Sequence, residues 1–321
     1  MLNYTTLGNK VYLAKEDSDR VNCLNSLIIE DPTPKEAILI EANYPFDEID
    51  ELYKRIAPPA KALLLSHGHT DHTAHAFYHQ QNYETPIFIP VQEQEHLLSL
   101  DTLRDAAGFT QLGLEEKYNL MVREYMKFQE CETVLPYTPG EKIFHYTVVN
   151  IETIHIPGHS PGHTAFALKF SPELNNKNIL YVSDIGSHPY YGDLYCSLSA
   201  YRDSIDKLEN IYLSGDYILV PAHGKYYLEK DPDFFNRIRR KIHKNAQKVL
   251  EALSKTEPKS IKDLVYEWFM TPKDRAHPLI KELYLLWDGG MIAQHLREFQ
   301  DQGLVRKIEE KDFLNDNYIL V

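Results

Sequence analysis

Cysteine is scarce in this chain, with three residues among 321. Cys23, Cys131 and Cys196 are far apart and odd in number, which excludes a disulfide framework and gives no paired spacing for a thiolate metal site. Isolated cysteines of this kind usually serve as small, partly buried apolar residues. The pattern is typical of the reducing cytoplasm, and we expect a cytoplasmic protein.

Long apolar runs are also lacking. Segments such as 62–65 and 218–222 are only a few residues long, far below the roughly 20 residues that a membrane-spanning helix needs. Residues 1–4 do not begin a basic stretch followed by an apolar run, so the sequence predicts no signal peptide. We expect no membrane partner, and the sequence leaves a homo-oligomer open.

Basic residues are outnumbered, with 34 Lys and Arg against 47 Asp and Glu and a net charge of −13. This balance argues against a protein whose main surface grips nucleic acid. The imbalance is uneven, because residues 237–321 carry 16 basic against 13 acidic side chains and the remainder carries 18 against 34. The asymmetry predicts two domains, residues 1–236 and residues 237–321.

The order of the predicted elements indicates an α/β fold. The isoleucine-rich segments 26–30 and 36–41, separated by turn residues, predict a hairpin, and strands then alternate with helices as far as residue 221. Residues 91–132 have helical periodicity and are expected to form an inserted helical cap. Helical patterns return in the tail at 232–253, 260–269, 278–286 and 290–302. A short hairpin follows them, which indicates a winged-helix-like module.

The strongest chemical signal is the segment His67-Gly68-His69-Thr70-Asp71-His72, which directly follows the apolar strand predicted at 61–65. Imidazoles and a carboxylate crowded at the end of a buried strand need a compensating partner, and a divalent cation is the obvious one. His67 and His69 are two residues apart in extended chain, so their side chains can point the same way. Asp71 and His72 then begin a helix and can reach a neighbouring position.

This segment resembles the HxHxDH motif of the metallo-β-lactamase superfamily. The later motifs of that family have counterparts in the expected order, each after an apolar strand: Ile156-Pro157-Gly158-His159-Ser160-Pro161-Gly162-His163, Val182-Ser183-Asp184 and Pro221-Ala222-His223-Gly224. The resemblance covers roughly residues 20 to 230. It implies a four-layer αββα sandwich with two metal ions at one edge.

The resemblance also implies how the ligands are divided. His67, His69 and His159 are expected to hold one divalent metal ion, Asp71, His72 and His223 the second, and Asp184 to bridge the two. Zinc suits such ligands best, although iron and manganese are accepted by similar sites. A water between the two ions becomes a hydroxide nucleophile near neutral pH, so no serine or cysteine nucleophile is expected.

Several other residues are candidates for the site. The ligand Asp71 is also expected to take part in catalysis, together with Tyr190 or Tyr191, whose phenols could contact the substrate oxygen or protonate a leaving group. His163 is expected to orient a ligand or to make a structural hydrogen bond within its loop. His75 and His79 lie at helical spacing after the first motif, and packing is the favoured interpretation for both.

One segment departs from the family pattern. Many members have an Asp-x-Gly turn after the second N-terminal strand, where this chain reads Glu41-Ala42-Asn43-Tyr44-Pro45. That element shapes the sheet edge beneath the site. The departure leaves the loop geometry there undetermined by the sequence, whereas the metal ligands are unaffected.

The family pattern does not choose the substrate. A small thioester or ester, as in the hydroxyacylglutathione hydrolase-like members, is the favoured substrate, with the residues 91–132 and the tail walling the pocket. The alternative is an endoribonuclease in which a basic helix, residues 237–248, steers single-stranded RNA. A third hypothesis, a nucleic-acid-binding regulator that acts through the winged helix, is disfavoured by the modest charge of the tail.

Overall fold

The first layer of strands forms a seven-stranded sheet. The computed structural model describes residues 1–16, 23–32, 35–56, 60–268, 278–309 and 311–321. The sheet runs in the order β1-β2-β3-β4-β5-β6-β7, antiparallel from β1 to β4 and parallel from β4 to β7. Its strands are β1 Leu2–Gly8, β2 Val11–Glu16, β3 Asn25–Pro32, β4 Lys35–Ile40, β5 Ala62–Leu64, β6 Ile87–Pro90 and β7 Leu135–Tyr137. The hairpin predicted from the isoleucine-rich segments is the β3–β4 pair.

A second, five-stranded sheet follows in the order β12-β11-β10-β9-β8. Its strands are β8 Ile143–His145, β9 Val149–His155, β10 Thr164–Phe170, β11 Asn178–Ser183 and β12 Tyr217–Pro221. All neighbours are antiparallel except β11 and β12, which are parallel. The parallel pair is joined through a helix, as parallel strands require.

Three apolar clusters separate the layers of this sandwich. Alternation along β3 sends Leu27 and Ile29 into a cluster shared with the second sheet, whereas Ile28 packs with residues of the outer helices. The second sheet alternates likewise, because Phe166 joins the central cluster and Ala167 faces a third cluster. The central strands therefore bury both faces, which gives the predicted four-layer αββα fold.

Helices cover both outer faces of the sheets. Their bounds are α1 Phe46–Arg55, α2 Thr70–Thr73, α3 Ala76–Tyr83, α4 Gln94–Leu98, α5 Leu100–Ala107, α6 Glu115–Leu120, α7 Leu198–Ser214, α8 Phe234–Ala252, α9 Ile261–Trp268 and α10 Pro278–Asp301. The segment expected to form a helical cap contains α4, α5, α6 and a π-helical turn at Met121–Tyr125. Among the described residues, none of these helices is long and apolar enough to cross a membrane.

The tail combines α8, α9 and α10 with a three-stranded sheet. Its strands are β13 Lys259–Ser260, β14 Val305–Glu309 and β15 Asn317–Leu320, in the order β13-β15-β14. The predicted domain boundary at residue 237 falls inside α8. The first half of that helix packs on the second sheet through Phe235 and Ile238, and Val249 near its end packs in the tail cluster.

The last long helix corrects one expectation. The sequence predicts separate helices at 278–286 and 290–302, but α10 is continuous through Gly289 and Gly290. Glycine weakens a helix by about 1 kcal/mol without breaking it. A Cβ atom at Gly290 would collide with the backbone of Gly192, so this glycine permits a close approach of α10 to the loop that contains Gly192.

Candidate metal centre

The seven predicted ligands converge at one edge of the sandwich. His67 and His69 lie in the loop after β5, and Asp71 and His72 lie in the short helix α2. The remaining three follow the ends of β9, β11 and β12: His159, Asp184 and His223. Because these loops come from both sheets, the cluster lies between the two sheets at their common edge.

The ligands form two adjacent groups. Potential ligand atoms of His67, His69 and His159 lie within 4.8 Å of one another, and so do those of a second group, Asp71, His72, Asp184 and His223. Asp184 faces both groups. Its Oδ2 is 3.3 Å from His159 Nε2, and its Oδ1 is 3.1 Å from His72 Nε2.

Two polar atoms of this cluster lack hydrogen-bond partners within the part of the chain that the structure describes, as expected of residues that bind metal ions. His72 Nε2 and Asp184 Oδ1 are buried and have no hydrogen-bond partner of acceptable geometry among the described residues. Buried polar atoms of this kind are rare unless something else satisfies them. A set of imidazole nitrogens and carboxylate oxygens is suited to divalent transition-metal ions.

Two histidines of the first group, His67 and His159, are in the form that binds metal. Burial lowers the pKa of His67 well below its ordinary value, and neighbouring imidazoles, that of His72 first, lower it further. Burial likewise lowers the pKa of His159 to about 4. Both side chains are therefore neutral at pH 7, with a lone pair available for a metal ion. For the third, His69, burial would lower the pKa, but the hydrogen bond to the Asp193 carboxylate raises it.

The second group is dominated by its carboxylates. Burial alone would lower the pKa of His72, but the carboxylates around it, that of Asp184 first, raise the pKa well above its ordinary value. Burial would raise the pKa of Asp184, yet the imidazoles of His72, His223 and His159 hold it well below its usual range. A proton on His72 thus compensates buried negative charge, a role that a divalent cation fills more completely.

Comparison with known proteins identifies the family. A profile described as the metallo-beta-lactamase superfamily matches residues 24–223. The chain belongs to the metallo-β-lactamase superfamily. Its relatives include the hydroxyacylglutathione hydrolase GloC of Haemophilus influenzae, which is 26% identical over 212 residues, 64% of this chain and 86% of that protein.

Two solved structures share the fold over nearly the whole chain. A metallo-beta-lactamase family protein of Thermus thermophilus has a TM-score of 0.71 and 16% identity, covering 98% of this chain and 100% of its own. A beta-lactamase domain protein of Burkholderia ambifaria has a TM-score of 0.71 and 15% identity, covering 99% of this chain and 94% of its own. The likeness therefore includes the tail as well as the metallo-β-lactamase sandwich.

Glu41 holds His72 in place. Its Oε2 is 2.6 Å from His72 Nδ1, and its Oε1 accepts a hydrogen bond from the backbone N–H of Ser66. Glu41 is fully buried and has a left-handed backbone with φ of 58°. Sequence analysis noted this position only as a departure from the family pattern, and the structure shows that its carboxylate orients a predicted ligand.

Other hydrogen bonds fix the remaining rings. His67 Nδ1 is 2.9 Å from Ser66 Oγ, and His159 Nδ1 donates to the carbonyl oxygen of Tyr190 over 2.9 Å. Both contacts leave Nε2 directed at the cluster. His163 uses both ring nitrogens, because Nδ1 donates to the Ile156 carbonyl oxygen at 3.1 Å and Nε2 accepts from the backbone N–H of Asp184 at 3.3 Å.

His163 therefore supports the Asp184 backbone and is not among the grouped ligand atoms. His75 and His79, which follow the first motif, are packed side chains, which is the interpretation that the sequence favoured. His79 Nδ1 is 2.9 Å from Tyr53 Oη and its Nε2 donates to the Ala42 carbonyl oxygen at 2.8 Å. His75 Nε2 lies 2.8 Å from the Met126 carbonyl oxygen.

A loop after β11 adds two residues that sequence analysis missed. Asp193 Oδ2 and Tyr195 Oη lie 2.9 Å and 2.8 Å from His69 Nε2. Among the described residues, Nδ1 is the ring nitrogen of His69 that has no hydrogen bond, so it is the one left for a metal ion. The predicted residue Tyr190 lies beside this network and donates to Asp193 Oδ1 at 2.7 Å.

The other predicted tyrosine is turned away from the cluster. Tyr191 is fully buried, and its hydroxyl is 2.8 Å from His295 Nε2 in helix α10. The phenol is thus committed to packing the tail against the loop. The structure gives no basis for the expected contact between Tyr191 and substrate, because adjacent residues of an extended loop point to opposite sides.

Proposed function

We propose that this metallo-β-lactamase superfamily member is a dinuclear metal hydrolase that cleaves a small thioester or ester. The observation that carries the proposal is the position of Asp184, whose two oxygens face two adjacent groups of ligands. The similarity to a hydroxyacylglutathione hydrolase of Haemophilus influenzae supports the thioester class.

The ligands would be divided between two ions. His67, His69 and His159 would hold one, Asp71, His72 and His223 the other, and Asp184 both. Two divalent ions bound at this site would supply a hydroxide nucleophile at neutral pH and would polarise the carbonyl oxygen of the substrate. We favour zinc because zinc binds well to sites made mostly of histidine nitrogens with a few carboxylate oxygens. Iron and manganese are the alternatives to test.

Of the two tyrosines near His69, Tyr195 provides a hydrogen-bond donor for the substrate, because the Tyr190 hydroxyl already donates to Asp193. Burial raises the pKa of Tyr190 and of Tyr195 well above the ordinary value, so both phenols stay protonated. With Nδ1 of His69 reserved for a metal ion, Nε2 carries the proton and donates to Tyr195 Oη and Asp193. The Tyr195 hydroxyl hydrogen is then left for an oxygen of the substrate.

The thiol of Cys196 is not placed to act as a nucleophile. Cys196 is buried, its thiol donates to the His159 carbonyl oxygen, and burial raises its pKa well above the ordinary value. The thiolate that a nucleophilic mechanism needs is therefore disfavoured. This arrangement agrees with a reaction in which the bound ions deliver the nucleophile.

Three arginines of the basic helix α8 are paired with acidic side chains of the chain itself, which weakens the case for RNA as the substrate. Arg237 pairs with Asp231, Arg239 with Asp206 and Glu209, and Arg240 with Asp233, with N–O distances of 2.5 to 2.7 Å. Charges satisfied within the chain offer little to phosphates. We therefore assign the winged-helix-like tail a structural role beside the pocket.

Elemental analysis of the purified protein, with a panel of thioesters and esters and a labelled single-stranded RNA, tests the proposal. We expect about two metal equivalents and thioester cleavage. His69→Ala should lose at least one equivalent and the hydrolysis, whereas His145→Ala, which removes an exposed imidazole on β8, should keep both. Absence of bound metal, with no gain on adding zinc, iron or manganese, would refute the proposal.

A separate variant tests the nuclease alternative. A protein with Arg239→Ala and Arg240→Ala should hydrolyse the small ester at the wild-type rate. RNA cleavage by the wild type that disappears in this double variant would instead establish the nuclease alternative.

A further inference from the structure

A buried glutamate outside all of the family motifs joins the two loops that carry the first ligand group. Glu93 lies in a 3-10 turn, Val91–Glu93, directly after β6, and its side chain is fully buried. It has no Lys or Arg partner among the described residues; its nearest titratable neighbour is His96, with Nδ1 3.9 Å from Oε2. A buried carboxylate is costly unless hydrogen bonds satisfy it.

Three hydrogen bonds satisfy Glu93, and all come from the ligand loops. Oε2 accepts from the backbone N–H of Gly68, which stands between His67 and His69. Oε1 accepts from the Ser160 hydroxyl, next to His159, and from the backbone N–H of Gly162 at 2.7 Å. One side chain thus connects loops that are about 90 residues apart in sequence.

The fit around this carboxylate is close. A Cβ atom at Gly68 would lie 3.1 Å from Glu93 Oε2, and one at Gly162 would lie 2.9 Å from Oε1. The two glycines therefore let both backbones approach the carboxylate. Among the described residues, no hydrogen bond of Glu93 reaches helix α2, which contains Asp71 and His72, or the loops of Asp184 and His223.

We propose that Glu93 is a positioning residue that fixes the distance between the His67–His69 loop and the His159 loop, and thereby sets the metal affinity of the first ligand group. The inference rests on the proposed dinuclear site. Glu93 touches neither a metal ion nor substrate. Its effect is exerted through the backbones that hold the three histidines.

The choice of variant follows from the hydrogen bonds. Glu93→Gln keeps the size of the side chain but has one acceptor oxygen and an amide that donates. Both carboxylate oxygens of Glu93 accept hydrogen bonds from backbone N–H groups. In the variant, the amide NH₂ group of the new side chain replaces one of these oxygens, so one backbone N–H loses its acceptor. Glu95→Gln, two residues away at an exposed position, is the matched control.

The experiment is a Co²⁺ titration of metal-free protein, followed through the visible absorption bands of the bound ion. Wild type and Glu95→Gln should bind Co²⁺ in two steps. Glu93→Gln should weaken one step by about 10- to 100-fold, the usual effect of losing a partner that orients ligands, and leave the other unchanged. Ser160→Ala removes only one of the three hydrogen bonds and should weaken the same step less.

The outcomes separate this inference from the proposed function. If the wild type binds no metal, the proposed function fails and the inference fails with it. If the wild type binds two ions and Glu93→Gln binds both with unchanged affinity, only the role of Glu93 is overturned. Equal weakening of both steps would also overturn it, because it would show a general loss of structure. If Glu93→Gln does not fold, an unchanged titration of Ser160→Ala decides against the inference.

Discussion

Neighbouring tyrosines in one loop have opposite surroundings in this protein. The Tyr190 hydroxyl donates to Asp193, which holds His69, whereas the Tyr191 hydroxyl is bonded to His295 in the tail. Tyr190 therefore belongs to the hydrogen-bond network of the metal centre. Tyr191 belongs to the contact between the loop and α10.

These surroundings predict different results for the same substitution. Tyr190→Phe should lower kcat by on the order of tenfold, which corresponds to one lost hydrogen bond of about 1.4 kcal/mol to a charged group. Tyr191→Phe should leave kcat unchanged but destabilise the protein by about 1–3 kcal/mol, because His295 Nε2 loses its partner. Steady-state kinetics and urea unfolding of both variants provide the measurement, and the reverse pattern would contradict the assignment.

His79 gives the protein a pH dependence that is independent of the metal centre. Burial lowers its pKa to about 4, while an unfolded histidine titrates near 6.5. Below pH 6.5 the unfolded state binds the proton more strongly, so stability is complete above that pH and is lost as the pH falls to about 4. The full loss is about 3 kcal/mol, from 1.36 kcal/mol per pKa unit.

The measurement is the free energy of unfolding of metal-free protein between pH 7 and pH 4, for wild type and His79→Gln. The metal ligands titrate in both proteins, so the difference between the two curves isolates His79. We expect the wild type to lose more stability than the variant over this window. Parallel curves would show that His79 does not titrate as its burial requires.

The residues that converge into the candidate metal centre were predictable from the sequence, and the residues that support them were not. His67 to His72 stand together in a spacing that has a direct chemical meaning, whereas Glu41, Glu93 and Asp193 are single acidic residues in unrelated segments. Only the fold brings them to the ligands. A signal existed for Glu41, because it directly follows β4, and β4 pairs with β5, the strand that precedes the first motif.

At the scale of whole elements, the contact between α10 and the loop of residues 190–196 connects the tail to the metal centre. Gln294 donates to the Cys196 carbonyl oxygen at 2.8 Å, and Arg202 of α7 pairs with Glu298 at 3.2 Å. Leu283 and Leu286 of α10 also pack with the inserted helices. The tail thus packs against the loop that contacts His69 and against the inserted helices that were expected to wall the pocket.

The two glycines of α10 offer a matched test of this support. Gly290→Ala places a methyl group against the backbone of Gly192, so the loop must shift. Gly289→Ala meets side chains of the tail: those of Ile261 and Leu314 at 3.2 Å and that of Phe313 at 3.6 Å. Both variants gain about 1 kcal/mol of helix propensity, but overpacking in Gly290→Ala should cost about 1–3 kcal/mol.

Kinetics should distinguish the two variants more sharply than stability does. Displacement of the loop moves Asp193 and Tyr195 relative to His69, so Gly290→Ala should lower kcat/KM by on the order of tenfold or more. Gly289→Ala should stay close to wild type. Equal kinetics in both variants would show that the tail does not influence the site.

Sequence patterns predicted eight strands of the sandwich, which are apolar and bounded by turn residues, but they did not predict β1, β2, β7 or β8. They failed at α10, where the glycine pair suggested a break that packing does not produce. They also did not show that α8 packs in two apolar clusters, one beside the second sheet and one in the tail. In both cases the deciding contacts join segments that are distant in sequence, which periodicity does not reveal.

For the molecule as a whole, the metal centre lies where loops of both sheets meet, so bound ions should act as a cross-link between the sheets. Ligands follow β5 of the first sheet and β9, β11 and β12 of the second. A ligand that binds only the folded state stabilises it by about 4 kcal/mol at 1,000 times its Kd. Removing the ions with a chelator should therefore lower Tm, and zinc should restore it.

Calorimetry of holoprotein, chelated protein and His69→Ala tests this cross-link. After chelation, the partly buried carboxylates of Asp71 and Asp184 should again be compensated by a proton on His72. The carboxylates around His72, that of Asp184 first, raise its pKa well above the ordinary value, so this proton stays bound at neutral pH. The chelated protein should accordingly stay folded at neutral pH, with a lower Tm. His69→Ala should show a smaller rise in Tm on adding zinc, because one ligand group is incomplete. A zinc-dependent rise that is equal in wild type and His69→Ala would place the stabilising ion outside the first ligand group.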